Sequence, residues 1–207
     1  MRNSRLVVVA GALLVASWGI ASAQEAAKEA PKEAPKAAHQ YVGAKKCKMC
    51  HGSEKGGNQL LKWSESKHSK AFEVLATPKA KEIATKEGIA DPQKSDKCLS
   101  CHATGHGEAA DKFAASFVDT DGVQCETCHG AGSDYMKMKT MQAIRDGSMK
   151  AEDYGLLMPT KETCAKCHNE KATSGKAVDW PADSTKIAHP IPPGYKRGAP
   201  APAEGAK

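Results

Sequence analysis

The chain has 207 residues, 5% of them aromatic, and a formal net charge of +6 at pH 7. Leu, Ile, Val and Phe together number 27, fewer than a chain of this length normally uses to build a hydrocarbon core. Lysines are spread along the chain rather than gathered into one block, which argues against a nucleic-acid-binding surface. Something other than aliphatic side chains is therefore expected to organise the fold.

Residues 1–23 have the pattern of a secretory signal peptide. Arg2 and Arg5 precede the apolar run Leu6–Ile20, and Ala21-Ser22-Ala23 offers a cleavage site with small residues. The run is short for a membrane span, so an uncleaved anchor is the less favoured alternative. We expect export to the periplasm, the cell surface or the exterior, with no integral membrane segment after cleavage.

The mature chain divides into three parts by composition. Residues 24–40 are rich in Ala, Lys, Glu and Pro and are predicted to form a linker. Residues 192–207 are rich in Pro, Ala and Gly and are predicted to form a disordered tail. The folded domain is therefore expected at residues 41–191.

Helical signals in this domain are short, and the first is the strongest. Apolar residues and His68 recur at helical spacing over Asn58–Leu75, which predicts a helix with His68 on its apolar face. Thr77 and Pro78 indicate the start of a second helix, and Gly88 indicates its end.

The middle of the domain carries two weaker signals. Phe117–Val123 contains Asp121-Gly122 and could form a small hairpin. Tyr135–Arg145 has a helical stripe in which Met138 and Met141 are expected to pack in a core. Together these signals predict a mainly α, loop-rich fold with little or no sheet.

All eight cysteines belong to four copies of one motif, Cys-x-x-Cys-His. The copies are Cys47, Cys50 and His51; Cys98, Cys101 and His102; Cys125, Cys128 and His129; and Cys164, Cys167 and His168. Two thiols at this spacing can bond to the two vinyl groups of one haem, and the following histidine can bind its iron. The motifs therefore predict four covalently bound haem c groups. Glu126 and Lys166, inside two of the motifs, are expected to face solvent.

Other uses of the cysteines explain less of the pattern. Four disulfides are plausible in an exported protein, and two zinc sites with four thiolates each would fit the Cys-x-x-Cys pairs. Neither explains a histidine after every pair. Thioredoxin-like redox pairs need a βαβ context that the sequence lacks. Four haems would also supply the missing apolar interior, so the chain without haem is expected to be poorly folded.

Four histidines lie outside the motifs and are candidates for the second axial ligand of each iron. They are His39, His68, His106 and His189. An imidazole on an apolar helix face is costly without a partner, which favours His68 as a ligand. His189 would attach the C-terminal segment to the domain. His106 is too close to His102 to reach the opposite face of the same haem, so it would serve a neighbouring haem or line a pocket. His39, at the linker edge, could bind within the chain or in a neighbouring copy. Met136, Met138, Met141 and Met149 are possible thioether ligands.

The flanks of the motifs resemble the tetrahaem cytochrome c554 family and its multihaem relatives. The similar stretches are Gly43–His51, Trp63–Phe72, Cys98–Gly107 and Gly122–Gly132. The resemblance implies short helices around closely stacked haem pairs, electron transfer outside the cytoplasm, and a distal-ligand role for His68.

The chain departs from this family at two positions. The family usually has a histidine about ten residues after the third motif that binds the first haem, and Ser133–Lys150 contains none. That ligand could be His39, His106 or Met136, or the position could be empty. The family also tends to have an aromatic residue at the position of His106, beside a haem that can be five-coordinate. The alternative hypothesis here is that His106 closes that iron.

The expected function is single-electron relay between redox proteins. Two alternatives stay open. One is a reductase or oxidase of a small nitrogen or sulfur species at a five-coordinate haem. The other is a polymerising extracellular cytochrome in which His39 or His189 binds iron in the next subunit. Oligomers are therefore possible.

Overall fold

The computed structural model describes residues 39–172 and 177–191. The predicted signal peptide, most of the predicted linker and the predicted C-terminal tail lie outside these residues. None of the described helices is long and apolar enough to cross a membrane.

In the part of the chain that the structure describes, eight short α-helices make up most of the regular structure. They are α1 Ala44–His51, α2 Gln59–Ser64, α3 Pro78–Lys86, α4 Asp96–His102, α5 Cys125–His129, α6 Met138–Asp146, α7 Lys161–Ala165 and α8 Ala182–Ile187. Six single 3₁₀ turns and long loops join them. Within the described residues there is no strand, only an isolated bridge between Tyr41 and Phe113. The prediction of a mainly α, loop-rich fold is confirmed.

The long helix predicted over Asn58–Leu75 is wrong, because α2 ends at Ser64. Serine hydroxyls after this point donate to backbone carbonyls three to five residues earlier, including Ser66 to Trp63 at 2.7 Å. Such bonds compete with continuation of the helix. His68 therefore lies in a series of turns, and Leu61, expected on a buried face, is 49% exposed.

The second predicted helix is confirmed by α3. The Thr77 hydroxyl accepts a hydrogen bond from the Ala80 amide at 3.3 Å, and Pro78 occupies the first helical position. Gly88 follows the helix with φ +69°, a conformation that favours glycine.

Of the two weaker predictions, the hairpin is wrong and the helix is confirmed in part. No hairpin forms over Phe117–Val123, where the backbone makes a 3₁₀ turn at Asp119–Asp121 instead. The helix predicted over Tyr135–Arg145 exists but begins at Met138. Met138 is 65% exposed, so its predicted core packing is wrong.

The interior contains few apolar side chains. The buried hydrophobic residues among those described are Val42, Ala44, Ala71, Leu75, Ala84, Ala103 and Tyr135. Four of these are alanines, and the largest fully buried side chains are polar: Gln124, Glu126 and Thr104. Glu126 is 1% exposed, so its predicted solvent-facing position is wrong, whereas Lys166 is exposed as expected. Residues 39–172 and 177–191 thus do not build a conventional hydrocarbon core.

Candidate haem-binding sites

Each Cys-x-x-Cys-His motif lies on or directly after a short helix. The first three motifs end α1, α4 and α5, so each of these helices closes on the motif histidine. In the fourth, Cys164 lies in α7, and the amides of Cys167 and His168 both donate to the Cys164 carbonyl. A helical turn places the two thiols and the imidazole of a motif close together.

Three motif histidines have Nδ1 in contact with an oxygen from another part of the chain. Nδ1 of His51 lies 3.1 Å from Gln59 Oε1, that of His102 lies 2.6 Å from the Ala71 carbonyl, and that of His129 lies 3.0 Å from the Leu157 carbonyl. A carbonyl oxygen can only accept, so the proton is on Nδ1 and Nε2 keeps its lone pair. Metal-binding histidines are commonly oriented in this way.

Two motif histidines face a second imidazole from a distant segment. The ring centroids of His68 and His168 are 6.0 Å apart, and those of His129 and His189 are also 6.0 Å apart. Two metal–nitrogen bonds of about 2 Å, plus two ring radii of about 1 Å, give about 6 Å for imidazoles on opposite sides of one metal. The spacing of both pairs fits axial ligands of a haem iron.

Burial favours the neutral form of two of these imidazoles, one in each pair. Removal from solvent lowers the pKa of His68 and of His129 below the usual range, and the nearby His168 lowers that of His68 further. A neutral imidazole is the form that binds a metal.

The cysteine thiols of different motifs lie beside one another. The Cys125 thiol, together with burial, raises the pKa of Cys47 far above its usual range. Burial raises the pKa of Cys167 to about 12, with Cys101 as a neighbour, and that of Cys128 to about 11, with Cys164 as a neighbour. The first motif is thus adjacent to the third, the third to the fourth, and the fourth to the second.

The alternative uses of the cysteines find no support in this geometry. All eight are free thiols in the described chain. No group of three or more His, Cys, Asp or Glu side chains within residues 39–172 and 177–191 is arranged to hold a metal ion. Zinc sites with four thiolates would require such a group.

The two remaining candidate histidines, His39 and His106, each pair with a carboxylate. Nδ1 of His39 lies 2.6 Å from Asp134 Oδ2, and both side chains are partly buried. Nε2 of His106 lies 2.8 Å from Asp96 Oδ1, an oxygen on an exposed side chain. The carboxylate thus engages Nδ1 of His39 but Nε2 of His106. Nε2 is the nitrogen that axial histidines most often use.

Taken together, the residues fit covalently attached haem. The thiols are free, the motif imidazoles are oriented, and two pairs have the separation of axial ligands. Several large apolar side chains among the described residues are exposed, including Met49 at 89% and Leu157 at 51%. Flat apolar macrocycles would cover such side chains.

Sequence reasoning missed the residues that support the motifs. Gln59 orients His51, and backbone carbonyls orient two other motif histidines, which no side-chain pattern could reveal. Glu126 was assigned to the surface because it is charged. Gly130 and Gly132, shortly after Glu126 in the sequence, were the available signal for close approach of backbone to its carboxylate.

Residues 46–130 match the family model described as cytochrome c554 and c-prime. The matched segment contains the first three Cys-x-x-Cys-His motifs and ends before the fourth. The resemblance predicted from the motif flanks is therefore confirmed. Comparisons with curated proteins and with solved structures gave no match.

Proposed function

We propose, on the premise that residues 46–130 belong to the cytochrome c554 family, that the chain is an exported tetrahaem c-type cytochrome. Its function is to relay single electrons between protein redox partners. The observation that carries this proposal is the 6.0 Å separation of two histidine ring pairs, which suits low-spin irons with an imidazole on each side.

Haem, when bound, supplies a reversible one-electron couple. The chain's own groups orient and tune it. Carbonyl oxygens on Nδ1 of His102 and His129 fix the ring planes and make the imidazoles stronger donors. Stronger donation favours the oxidised iron and lowers the reduction potential. His68 and His189 then complete two of the four sites.

Neighbouring thiols indicate which haems would lie close together. Cys47 has Cys125 as a neighbour, Cys101 has Cys167, and Cys128 has Cys164. Since each thiol would hold the edge of a haem, these pairs support close haem edges between the first and third, the second and fourth, and the third and fourth motifs.

His39 is the best-supported second ligand for the first haem. Asp134 holds its Nδ1 at 2.6 Å, which is the carboxylate–histidine pattern of many metal sites. Asp134 precedes Tyr135, whose pKa is raised by burial and, to a smaller extent, by the neighbourhood of Glu126 and Cys47. His39 therefore lies on the side of the domain where the first and third motifs meet.

A second candidate function is reduction or oxidation of a small nitrogen or sulfur species at the second haem. Within residues 39–172 and 177–191, neither His51 nor His102 has an imidazole at the spacing of the two ring pairs, and His39 is proposed above for the first haem. His106, the nearest candidate in sequence, has its Nε2 on Asp96. These observations favour an open position on the iron of the second haem.

Intact mass spectrometry of the exported protein, followed by electron paramagnetic resonance, tests the proposal. Four added haem masses and predominantly low-spin ferric iron support the relay. A high-spin signal from one haem that disappears on addition of nitric oxide supports the enzymatic alternative. Modified thiols with no added haem mass refute both.

The size of the assembly separates a relay from a polymer. Electron microscopy of the purified holoprotein should show monodisperse particles if His39 and His189 bind iron within their own chain. Filaments would support ligation in the next subunit and would contradict the assignment of the His129–His189 pair to one chain.

A further inference from the structure

Three buried polar side chains around the third motif form one connected network. Gln124, Glu126 and Thr104 are each 2% exposed or less, and every buried side-chain nitrogen and oxygen among the described residues has a hydrogen-bond partner. A buried polar network is costly unless it is fully satisfied. Such a network in a domain with so few apolar core residues indicates a positioning role.

Glu126 accepts three backbone hydrogen bonds. Its Oε1 accepts from the amides of Val42 at 2.8 Å and Gly132 at 2.7 Å, and its Oε2 accepts from the amide of Gly43 at 2.7 Å. Val42 and Gly43 immediately precede α1, the helix with the first motif. One carboxylate inside the third motif therefore holds the entry to the first.

Gln124 binds the next backbone amide along the chain, that of Ala44. Its Oε1 accepts from the Ala44 amide at 2.7 Å, while its Nε2 donates to the Val118 carbonyl at 2.7 Å. Gly43, the residue before α1, has no side chain that could cap the helix. Gln124 and Glu126 instead accept from the backbone N–H groups of Ala44, Gly43 and Val42, the first residue of α1 and the two residues before it.

Thr104 connects the network to the second motif. Its hydroxyl accepts from the Gln124 amide at 2.7 Å and donates to the Gly122 carbonyl at 2.9 Å. It also lies 2.8 Å from the hydroxyl of Thr127, which is inside the third motif. Since Thr104 comes two residues after His102, the first three motifs meet at a single polar centre.

We propose that Glu126 is a positioning residue that fixes the first haem motif against the third, and that its carboxylate also lowers the reduction potential of the haems held there. The inference rests on the proposed function. It assigns to a side chain inside a Cys-x-x-Cys-His motif a role other than haem attachment.

The surroundings of Glu126 support an electrostatic effect. No lysine or arginine forms an ion pair with it in the described part of the chain, and the ionisable groups near it are Tyr41, Cys47, Cys125 and Tyr135. Burial raises the pKa of Glu126, and its three backbone donors act in the opposite direction. A carboxylate without a cationic partner stabilises the more positive, oxidised state of a nearby iron.

The decisive variant is Glu126→Gln, which keeps the size of the side chain. A carboxamide has one oxygen to accept from Val42 and Gly132, and its nitrogen then faces the Gly43 N–H, donor against donor. Glu162→Gln is the matched control, because Glu162 is exposed and also precedes a motif cysteine by two residues.

Amide hydrogen exchange of the holoprotein tests the positioning role directly. In the unmodified protein the amides of Val42, Gly43 and Gly132 should be among the slowest to exchange. Glu126→Gln should speed exchange of the Gly43 amide about tenfold or more, the effect of losing one buried hydrogen bond. Glu162→Gln should change none of these rates.

Spectroelectrochemistry tests the electrostatic role by measuring the reduction potentials of the haems. Glu126→Gln should raise the potential of one or two haems and leave the others unchanged, whereas Glu126→Asp should disturb exchange while retaining the negative charge and most of the potential. Equal potentials in Glu126→Gln and the unmodified protein would overturn the tuning role. Fast exchange of all three amides in the unmodified protein would overturn the positioning role, even if no variant matures.

The outcomes separate this inference from the proposed function. A purified chain without added haem mass refutes the tetrahaem cytochrome itself. A chain with four haems, unchanged by Glu126→Gln in both exchange and potential, refutes only the role of Glu126.

Discussion

Gln59 holds the imidazole of His51, with its Oε1 3.1 Å from Nδ1 of the ring. The same side chain donates from Nε2 to the carbonyl of Pro190 at 3.0 Å. Pro190 follows His189, whose ring faces His129. A single glutamine thus connects the ligand of the first motif to the segment that approaches the third.

Replacing this glutamine should change one haem potential. Gln59→Leu removes the acceptor on Nδ1, which makes His51 a weaker donor and destabilises the oxidised iron. Loss of a hydrogen bond of about 1 kcal/mol corresponds to a rise of roughly 40 mV for a one-electron couple. A spectroelectrochemical titration measures it, and Gln142→Leu on the exposed side of α6 is the control. Equal shifts in both variants would show that Gln59 has no specific effect on His51.

The histidine pairs make a second prediction. If His68 and His168 hold one iron as proposed, His68→Ala should remove one of its two imidazoles and convert that haem to the high-spin state. His106→Ala should leave all low-spin signals intact, because Nε2 of His106 is engaged by Asp96. Electron paramagnetic resonance of the ferric proteins distinguishes the two. A high-spin signal in His106→Ala would instead make His106 an axial ligand.

Sequence patterns were sufficient for α3, because its ends depend on local chemistry, and the four Cys-x-x-Cys-His motifs predict haem attachment from local chemistry in the same way. Cys-x-x-Cys-His is a contiguous signal, and Thr77-Pro78 with Gly88 defines both ends of a helix through its own side chains. Neither requires knowledge of distant contacts.

The helical periodicity around His68 predicted too long a helix, because other interactions determine where α2 ends. Serine hydroxyls end α2 early, and the His68 carbonyl instead accepts from the Val123 amide at 3.0 Å. The burial of Glu126 and the pairing of His129 with His189 are long-range outcomes. They depend on how segments up to 84 residues apart come together.

Gly122 provides a third prediction, because it allows the chain to approach His68. It has φ +76° and ψ −144°, a region that is essentially restricted to glycine. A Cβ at this position would lie 2.8 Å from the His68 carbonyl oxygen. Gly122→Ala should therefore lower the free energy of unfolding by about 3 kcal/mol or more, from backbone strain plus displacement of His68.

Gly88→Ala is the matched control for this substitution. Gly88 has φ +69°, but a Cβ there would meet no atom within 4 Å. Its cost should be only the backbone term, about 1 kcal/mol. Denaturant unfolding of both variant holoproteins gives the difference in their free energies of unfolding. Electron paramagnetic resonance spectra show whether the iron site near His68 changes. Equal losses of stability in Gly122→Ala and Gly88→Ala would mean that the chain moves the His68 carbonyl away from the added methyl group at no cost in free energy.

Removal of haem tests the physical basis of the fold. The seven buried apolar residues of the described chain include four alanines, which bury too little hydrocarbon to offset the conformational entropy of ordering the loops. The full-length mature chain expressed without haem attachment should therefore show weak helical circular dichroism and no cooperative thermal transition. The holoprotein should show both. The hydrogen-bond network around Glu126 cannot substitute for the missing macrocycles, since it joins three motifs but leaves side chains such as Met49, Met138 and Leu157 in water. A haem-free chain with a sharp transition near that of the holoprotein would show that polar contacts alone organise the domain.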